Sequence, residues 1–573
     1  MKRLNFRLGF ALAAVLLLAV ALFVNSLLGG MRGTRVDLTE DRLFTLSPAA
    51  QDILGSLAVP VQVKYYVTRQ DKMPTGLKTL ERDVTDKLRD YADASDGMLQ
   101  FSVHDPSDDE ELQQLLQGKG VRPFQVQSVD KDEIGVKLIY SAITLAYKDK
   151  PEEVLPQVVP QNLSTLEYDL VSRVFRLTQD QQPVIALYAP KPQLDPQMAA
   201  MYAQMGMAPP EIPDTWQDVV DLLGQEHYDV RRIQLTEESP IPEDASALLV
   251  FGPVNLNPRQ AWEIGRALHD GVGTIIAVQN QVYDYQPDPR GGFRITASQQ
   301  ASGLEELLKQ YGLAVRQDML FDAASEVISI PRTQNVMGMR LQTAEPVRAP
   351  MQISVIGEQM NGDVDITNRI ESLFYLWGTD LAKDPARLAG LNLGCRTLFT
   401  SSETSWHKPY SADPLVQADV TPSGHTLEPN LPLAYLVDGQ FPAPEGARPA
   451  WPAATDSSAA LEPPATFSPA PGNLVLIGCA KVFEKPFLGA GQNAMLLLNA
   501  VDALALEGKL IGIRSKLITE RSVKPLEAGQ KLLYRIFTVG LLPLLFALYG
   551  IVRGAMRRKE TADYQAGLSG KAR

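Results

Sequence analysis

Cysteine and histidine are scarce. The chain of 573 residues has two cysteines, Cys395 and Cys479, and five histidines. No C-x-x-C pair exists, so neither a zinc ribbon nor a thiol–disulfide centre is expected. Each cysteine ends an apolar stretch that reads as a strand, so both read as small buried residues. A disulfide is the alternative, and a chain of this size does not require one. His104, His227, His269, His407 and His425 are scattered, with no H-E-x-x-H and no metal-ligand spacing. The chain also lacks G-x-x-x-x-G-K-[ST] and G-x-S-x-G, which leaves no phosphate loop and no nucleophile elbow. The run Gly489–Ala494 loosely matches a dinucleotide fingerprint but has no βαβ context. No cofactor, no metal and no catalytic residue are therefore expected. A net charge of −13 with a pI near 5.1 argues against nucleic acid as a partner.

Long apolar runs are missing from the middle of the chain and present at both ends. One spans about Leu8 to Leu28, the other about Ile536 to Val552. Each is about long enough to cross ~30 Å of hydrocarbon. Lys2, Arg3 and Arg7 precede the first, and Arg553, Arg557, Arg558 and Lys559 follow the second. Arg32, Arg35, Lys531 and Arg535 flank the inner sides more sparsely. The bias places both termini in the cytoplasm and the main body outside the inner (plasma) membrane, in the periplasmic space. The first run exceeds the apolar core of a signal peptide and reads as an uncleaved anchor. Pro543 in the second suits a membrane helix packed against others.

Between the anchors the body is too long for one core. Ser47-Pro48 opens a short helix. Val61–Val67 alternates as a strand, Leu77–Tyr91 repeats at helical spacing, and Leu99–Val103 is a strand. A helix over Glu110–Gln117 and strands near 121–129 and 137–147 complete a βαβαββ layer of thioredoxin-like kind. A capping box at Ser164–Glu167 opens the next helix. From Pro183, apolar strands at 184–188, 230–235, 247–251 and 273–278 alternate with helices. That pattern predicts a doubly wound, mainly parallel sheet. Pro442–Pro471, rich in Pro and Ala, reads as a flexible excursion. Order resumes in a strand at Leu474–Gly478 and a helix over Ala494–Leu506.

The expected organisation is an α/β protein. Residues 1–35 form an N-terminal transmembrane anchor and 36–180 a thioredoxin-like extracytoplasmic domain. Residues 181–515 form an α/β domain with its excursion near 442–471, and 516–535 a connector. Residues 536–573 form a second transmembrane helix and a basic cytoplasmic tail. Ser401, Ser402, Ser405 and Trp406 follow an apolar strand and are candidates for contact with a ligand or partner. Caps and turn bonds are the simpler role for those hydroxyls.

Several passages resemble the family of the gliding-motility protein GldG, auxiliary components of an uncharacterised ABC transport system. Val36-Asp-Leu-Thr-Glu and Phe44-Thr-Leu-Ser47 look like its opening motif. Gly303 to Gly312 with Asp318-Met-Leu-Phe-Asp322 is similar to its leucine-rich helix, Tyr-Gly and strand ending in Asp. Thr397–Ser402 with Ser405-Trp406 looks like its strand and serine turn. Asn473–Gly478 with Asn493, Asn499 and Asp502 resembles its closing strand and helix. Cys479-Ala480-Lys481 stands where such proteins often carry an acid. The resemblance implies a non-enzymatic subunit beside an ABC permease and a separate ATPase. It also implies a central domain of class I amidotransferase-like (flavodoxin-like) fold without the catalytic cysteine, related to a domain of intraflagellar transport proteins. The alternatives are a module that binds an envelope glycan (polysaccharide), lipid or peptide, and a hydrolase or amidotransferase with an unrecognised site.

Overall fold

The computed structural model describes residues 45–569 except 131–132, 180, 193, 195, 288–292, 337–338, 369, 417–418, 453–466, 507–509, 511–512 and 514–527. The first expected span and the opening motif up to Phe44 lie outside the described residues. The chain divides into two units, residues 1–517 and 518–573.

The first described element of the first unit is a helix at Pro48–Gly55, where Ser47 Oγ accepts the Ala50 N–H at 3.1 Å. Then follow β1 (Val61–Val67), β2 (Leu99–His104), β3 (Phe124–Asp130), β4 (Glu133–Ile139), β5 (Ser141–Ala146) and β6 (Glu153–Leu155). Strands β2-β1-β5-β6 make a mixed sheet, parallel only between β1 and β2. Helices Leu80–Ala94 and Leu166–Thr178 cover one face and bury Val84, Leu88, Leu170 and Val174. The stretch read as one strand over 137–147 is two: Tyr140 separates β4, which pairs with β3 as a hairpin, from β5 in the sheet.

The second layer holds β7 (Val184–Tyr188), β8 (Asp229–Ile233), β9 (Ala245–Phe251) and β10 (Gly273–Ala277). The chain then leaves the sheet for β11 (Gln281–Pro287), β12 (Phe293–Gln299), β13 (Leu313–Val315), β14 (Met319–Asp322), β15 (Ser325–Val336), β16 (Met339–Ile356), β17 (Ser372–Leu376) and β18 (Leu381–Lys383). It returns through β19 (Gly394–Thr400), β20 (Ser405–Lys408), β21 (Pro432–Gly439) and β22 (Gly472–Ile477). The sheet order is β19-β21-β22-β10-β9-β7-β8. Its five strands from β22 to β8 are parallel, and β21 and β19 extend it antiparallel. Taken in chain order, the parallel strands run 2-1-3-4-5, the flavodoxin-like order.

Alternate residues face opposite sides, and both sides are buried. Ile185, Leu187, Leu249, Phe251, Ile275 and Ile477 pack toward helices Gln217–Gln225 and Asn493–Ala505. Ala186, Leu248, Val250, Ile276 and Leu476 pack toward helix Pro258–His269. Burial on both faces explains why these strands read as continuous apolar runs.

Parts of the Pro/Ala-rich excursion are anchored to that last helix. Arg259, almost fully buried, donates to the Pro449 carbonyl at 2.7 Å and lies 4.5 Å from the Trp451 ring centre. Arg448 reaches Glu263 at 2.9 Å, and Phe467 meets His269 edge-on. Polar clamps of this kind leave no apolar period in a sequence.

The second unit contains a helix, Ala528–Ser569, with Pro543 inside it. The second expected span falls in this helix, whose Phe537, Leu544, Phe546 and Ile551 are exposed. Among the described residues no helix is long and apolar enough to cross a membrane.

Candidate functional site

In a sheet of this order, ligands bind beyond the carboxyl ends of the strands, where the strand order reverses. Here that point lies between β7 and β9, at Ala189-Pro190 and Gly252. It is filled. The Trp216 indole packs against Phe251, with ring centres 5.8 Å apart, and Phe251 stacks on Phe483 at 4.9 Å. Trp216 Nε1 donates to the Pro190 carbonyl at 3.1 Å. Asp214 holds the loop that carries the indole: it accepts the Trp216 N–H at 3.0 Å and pairs with Arg232. Burial alone would raise the Asp214 pKa, but the Trp216 N–H and Arg232 outweigh it, and the pKa is lowered.

The ends of β10 and β22 are closed as tightly. Gln279 is buried and donates to the carbonyls of Gln281 and Trp377, both at 2.8 Å. Its side-chain oxygen accepts the N–H groups of Ala480 and Lys481. The Thr379 N–H donates to the Gly478 carbonyl at 2.9 Å, and Tyr375 Oη donates to the Thr379 carbonyl at 2.7 Å. A β-carbon on Gly478 would stand 2.1 Å from the Thr379 oxygen, so only glycine fits there. Cys479 is fully buried and donates to the Leu376 carbonyl; burial pushes its thiol pKa up to about 12. A thiol held in that form is no nucleophile near neutral pH. Both cysteines are free.

The four residues singled out from sequence lie close together. Ser401 and Ser405 are fully buried, and their hydroxyls bond each other at 2.8 Å. Ser401 Oγ also accepts the Leu431 N–H, and Ser405 Oγ donates to the Glu428 carbonyl at 2.5 Å. Ser402 is half-buried; its N–H and Oγ both reach the buried Asp322, at 2.8 and 2.5 Å. Trp406 is fully buried, stacks on Phe321 and His425, and donates to the Asp419 carbonyl at 3.2 Å. These bonds join β14, β19, β20 and the segment before β21.

Beside them lies a cluster that the sequence did not signal. His407 Nε2 is 2.8 Å from Asp380 Oδ1 and Nδ1 is 3.0 Å from Glu428 Oε1. Arg316 Nε stands 3.1 Å from Asp380 Oδ2, as an ion contact rather than an aligned hydrogen bond. Burial works to lower the His407 pKa, but the hydrogen bonds to Asp380 and Glu428 prevail and raise it. Both ring nitrogens of His407 face carboxylates, so neither is open to a substrate. Among the described residues no group of three His, Cys, Asp or Glu side chains could hold a metal ion.

An α/β body with a closed carboxyl edge is the class of protein defined here. The chain belongs to the ABC-type uncharacterized transport system family of auxiliary components, whose pattern matches residues 182–506. A domain of unknown function, DUF7088, matches residues 40–146. An uncharacterized protein of Borreliella burgdorferi is 20% identical over 543 residues, covering 92% of this chain and 94% of its own. Among solved structures, the mmIFT52 N-terminal domain is 10% identical, covers 56% of this chain and 97% of its own, and superposes with a TM-score of 0.30. A ThuA-like protein from Bacteroides uniformis is 9% identical, covers 57% and 94%, and has a TM-score of 0.26.

Proposed function

We propose that this chain is a non-enzymatic auxiliary subunit of an ABC transporter. In this reading it is anchored at both ends, with its body outside the plasma membrane and docked to a permease whose ATPase is a separate chain. The family match over residues 182–506 carries the transport role. The closed carboxyl edge supports a non-catalytic body: Trp216 occupies the usual ligand crevice, Cys479 is sealed, and His407 is locked between carboxylates. The apolar runs at Leu8–Leu28 and Ile536–Val552, and the exposed Phe546 and Ile551, support the anchors. Movement of permease helices would pass through two anchors to a body that two attachments keep from spinning. The amidotransferase-like and thioredoxin-like descents of the two layers belong to the same proposal.

Purification in several mild detergents tests it. Recovery of a multi-span permease and an ATPase with the chain is expected, and recovery of the chain alone in all of them overturns it. A reporter inserted at the exposed Gly362 should be active only outside the cytoplasm.

A further inference from the structure

Helix Pro196–Gln204, which follows β7, and the turn that closes it are unusually rich in thioethers. Met198, Met201, Met205 and Met207 are four of the 15 methionines in the chain. All four are exposed, at 44, 47, 52 and 53%. A helix turns ~100° and rises 1.5 Å per residue, which puts Met198, Met201 and Met205 in one stripe about 60° wide and about 10 Å long. The Met205 N–H donates to the Met201 carbonyl at 3.0 Å and so keeps to the helical path. A Schellman turn then closes the helix. Gly206, with a φ of +64°, donates to the Ala203 carbonyl at 3.1 Å, and the Met207 N–H donates to the Tyr202 carbonyl at 3.0 Å. Position 207 is thereby folded back toward the turn that carries Met201.

Side chains on a helix lean toward its N-terminus. Met205 therefore leans toward Met201 and Met201 toward Met198, across β-carbon separations of about 5–6 Å. Methionine is unbranched and flexible, so neighbouring sulfurs on such a stripe can converge on one ion. Residues 196–210 include no Asp, Glu, His, Cys, Lys or Arg. An ion that seeks carboxylate or imidazole finds neither in this segment, and the segment holds no charge that repels a cation. Thioethers are soft, neutral donors and select Cu(I).

We propose that this stripe is a binding site for a soft monovalent cation, Cu(I), held by the thioethers of Met198, Met201 and Met205, with Met207 at its C-terminal end. A face built only for apolar docking needs hydrophobic side chains and not sulfur, and the test separates the two. The proposal does not rest on the transport reading.

Ag(I) is the probe: a redox-stable ion with the same charge and a filled d shell, titrated as the nitrate in chloride-free buffer. The full chain is kept in detergent and isotope-labelled at its methionine methyl groups. Cys395→Ser removes the half-buried thiol that would compete for the ion. Saturable shifts of the Met198, Met201 and Met205 methyl signals are expected, complete at one ion per chain. Cu(I) held reduced by ascorbate should shift the same signals, and Zn(II) should not. Met201→Leu keeps an apolar side chain and should weaken binding at least tenfold. Met98→Leu, at an exposed methionine elsewhere, should leave it unchanged. Absence of saturation, an equal shift at Met98, equal shifts with Zn(II), or unchanged affinity in Met201→Leu would each overturn the proposal. Thermal unfolding of every variant confirms that it is folded.

Discussion

The Trp216 indole lies so close over Gly252 that a β-carbon there would stand 3.2 Å from Cζ2. Gly252 has a φ of +54°, so neither partner can be exchanged freely. Trp216→Ala should empty the crevice and lower stability by about 3–5 kcal/mol, read as a fall in the thermal midpoint of the body. Trp216→Phe should lose less. If the crevice serves only packing, permease recovery should survive in the folded Trp216→Phe chain.

Glu263 sits among Arg259, Arg266 and Arg448, and Arg259 is almost fully buried. Burial would raise the Glu263 pKa, but the three guanidinium groups prevail and lower it. Glu263→Ala strands a buried arginine, at a cost of roughly 3–5 kcal/mol. Limited proteolysis should then cut faster within 442–471 than in the parent chain.

His407 predicts a pH dependence. Its folded pKa is raised above the unfolded value of about 6.5. The native state therefore binds the proton more tightly than the unfolded state. That stabilisation is fully present below the unfolded pKa and is lost as pH rises through the folded pKa. Thermal midpoints should fall across that window in the parent chain, and His407→Gln should flatten the fall while lowering the midpoint at acid pH.

Asp322 and Ser402 test the turn. Ser402→Ala removes a charge-assisted hydrogen bond and should cost about 1.5–3 kcal/mol. A double-mutant cycle with Asp322→Ala should show coupling, because both substitutions remove the Ser402–Asp322 contact. Additive losses would contradict the geometry.

Gly478→Ala should be among the most damaging single-methyl changes, since the clash is with a backbone oxygen. Soluble yield of the body and its thermal midpoint should both drop sharply relative to Gly362→Ala, where nothing lies within 4 Å.

Much of this fold was legible because its strands are buried on both faces and its helices are periodic. Val184–Tyr188, Ala245–Phe251 and Gly273–Ala277 announce themselves as apolar runs bounded by turns. The order in which they pair is not local, so a sequence alone yields the class of sheet and not the neighbours of β22. The passage ending at Asp322 and the one beginning at Thr397 were each recognisable, but only folding shows that they meet, carboxylate to Ser402. Asn493 and Asn499, also in a recognised passage, turn out to clamp the closing helix to Phe374 and Ile366. The Asp380–His407–Glu428 cluster had no signature, because its members come from three distant segments. Trp216 gave none either, since an aromatic beside a helix start looks like any core residue.

Strands β10 and β22 lie side by side, yet everything from Val278 to Pro471 is threaded between them. A nascent chain leaving the ribosome at about 5–20 residues per second presents β22 roughly 10 to 40 s after β10. Throughout that interval the apolar edge of Gly273–Ala277 waits without its partner. The topology thus leaves one edge of the growing parallel sheet open until the last parallel strand arrives.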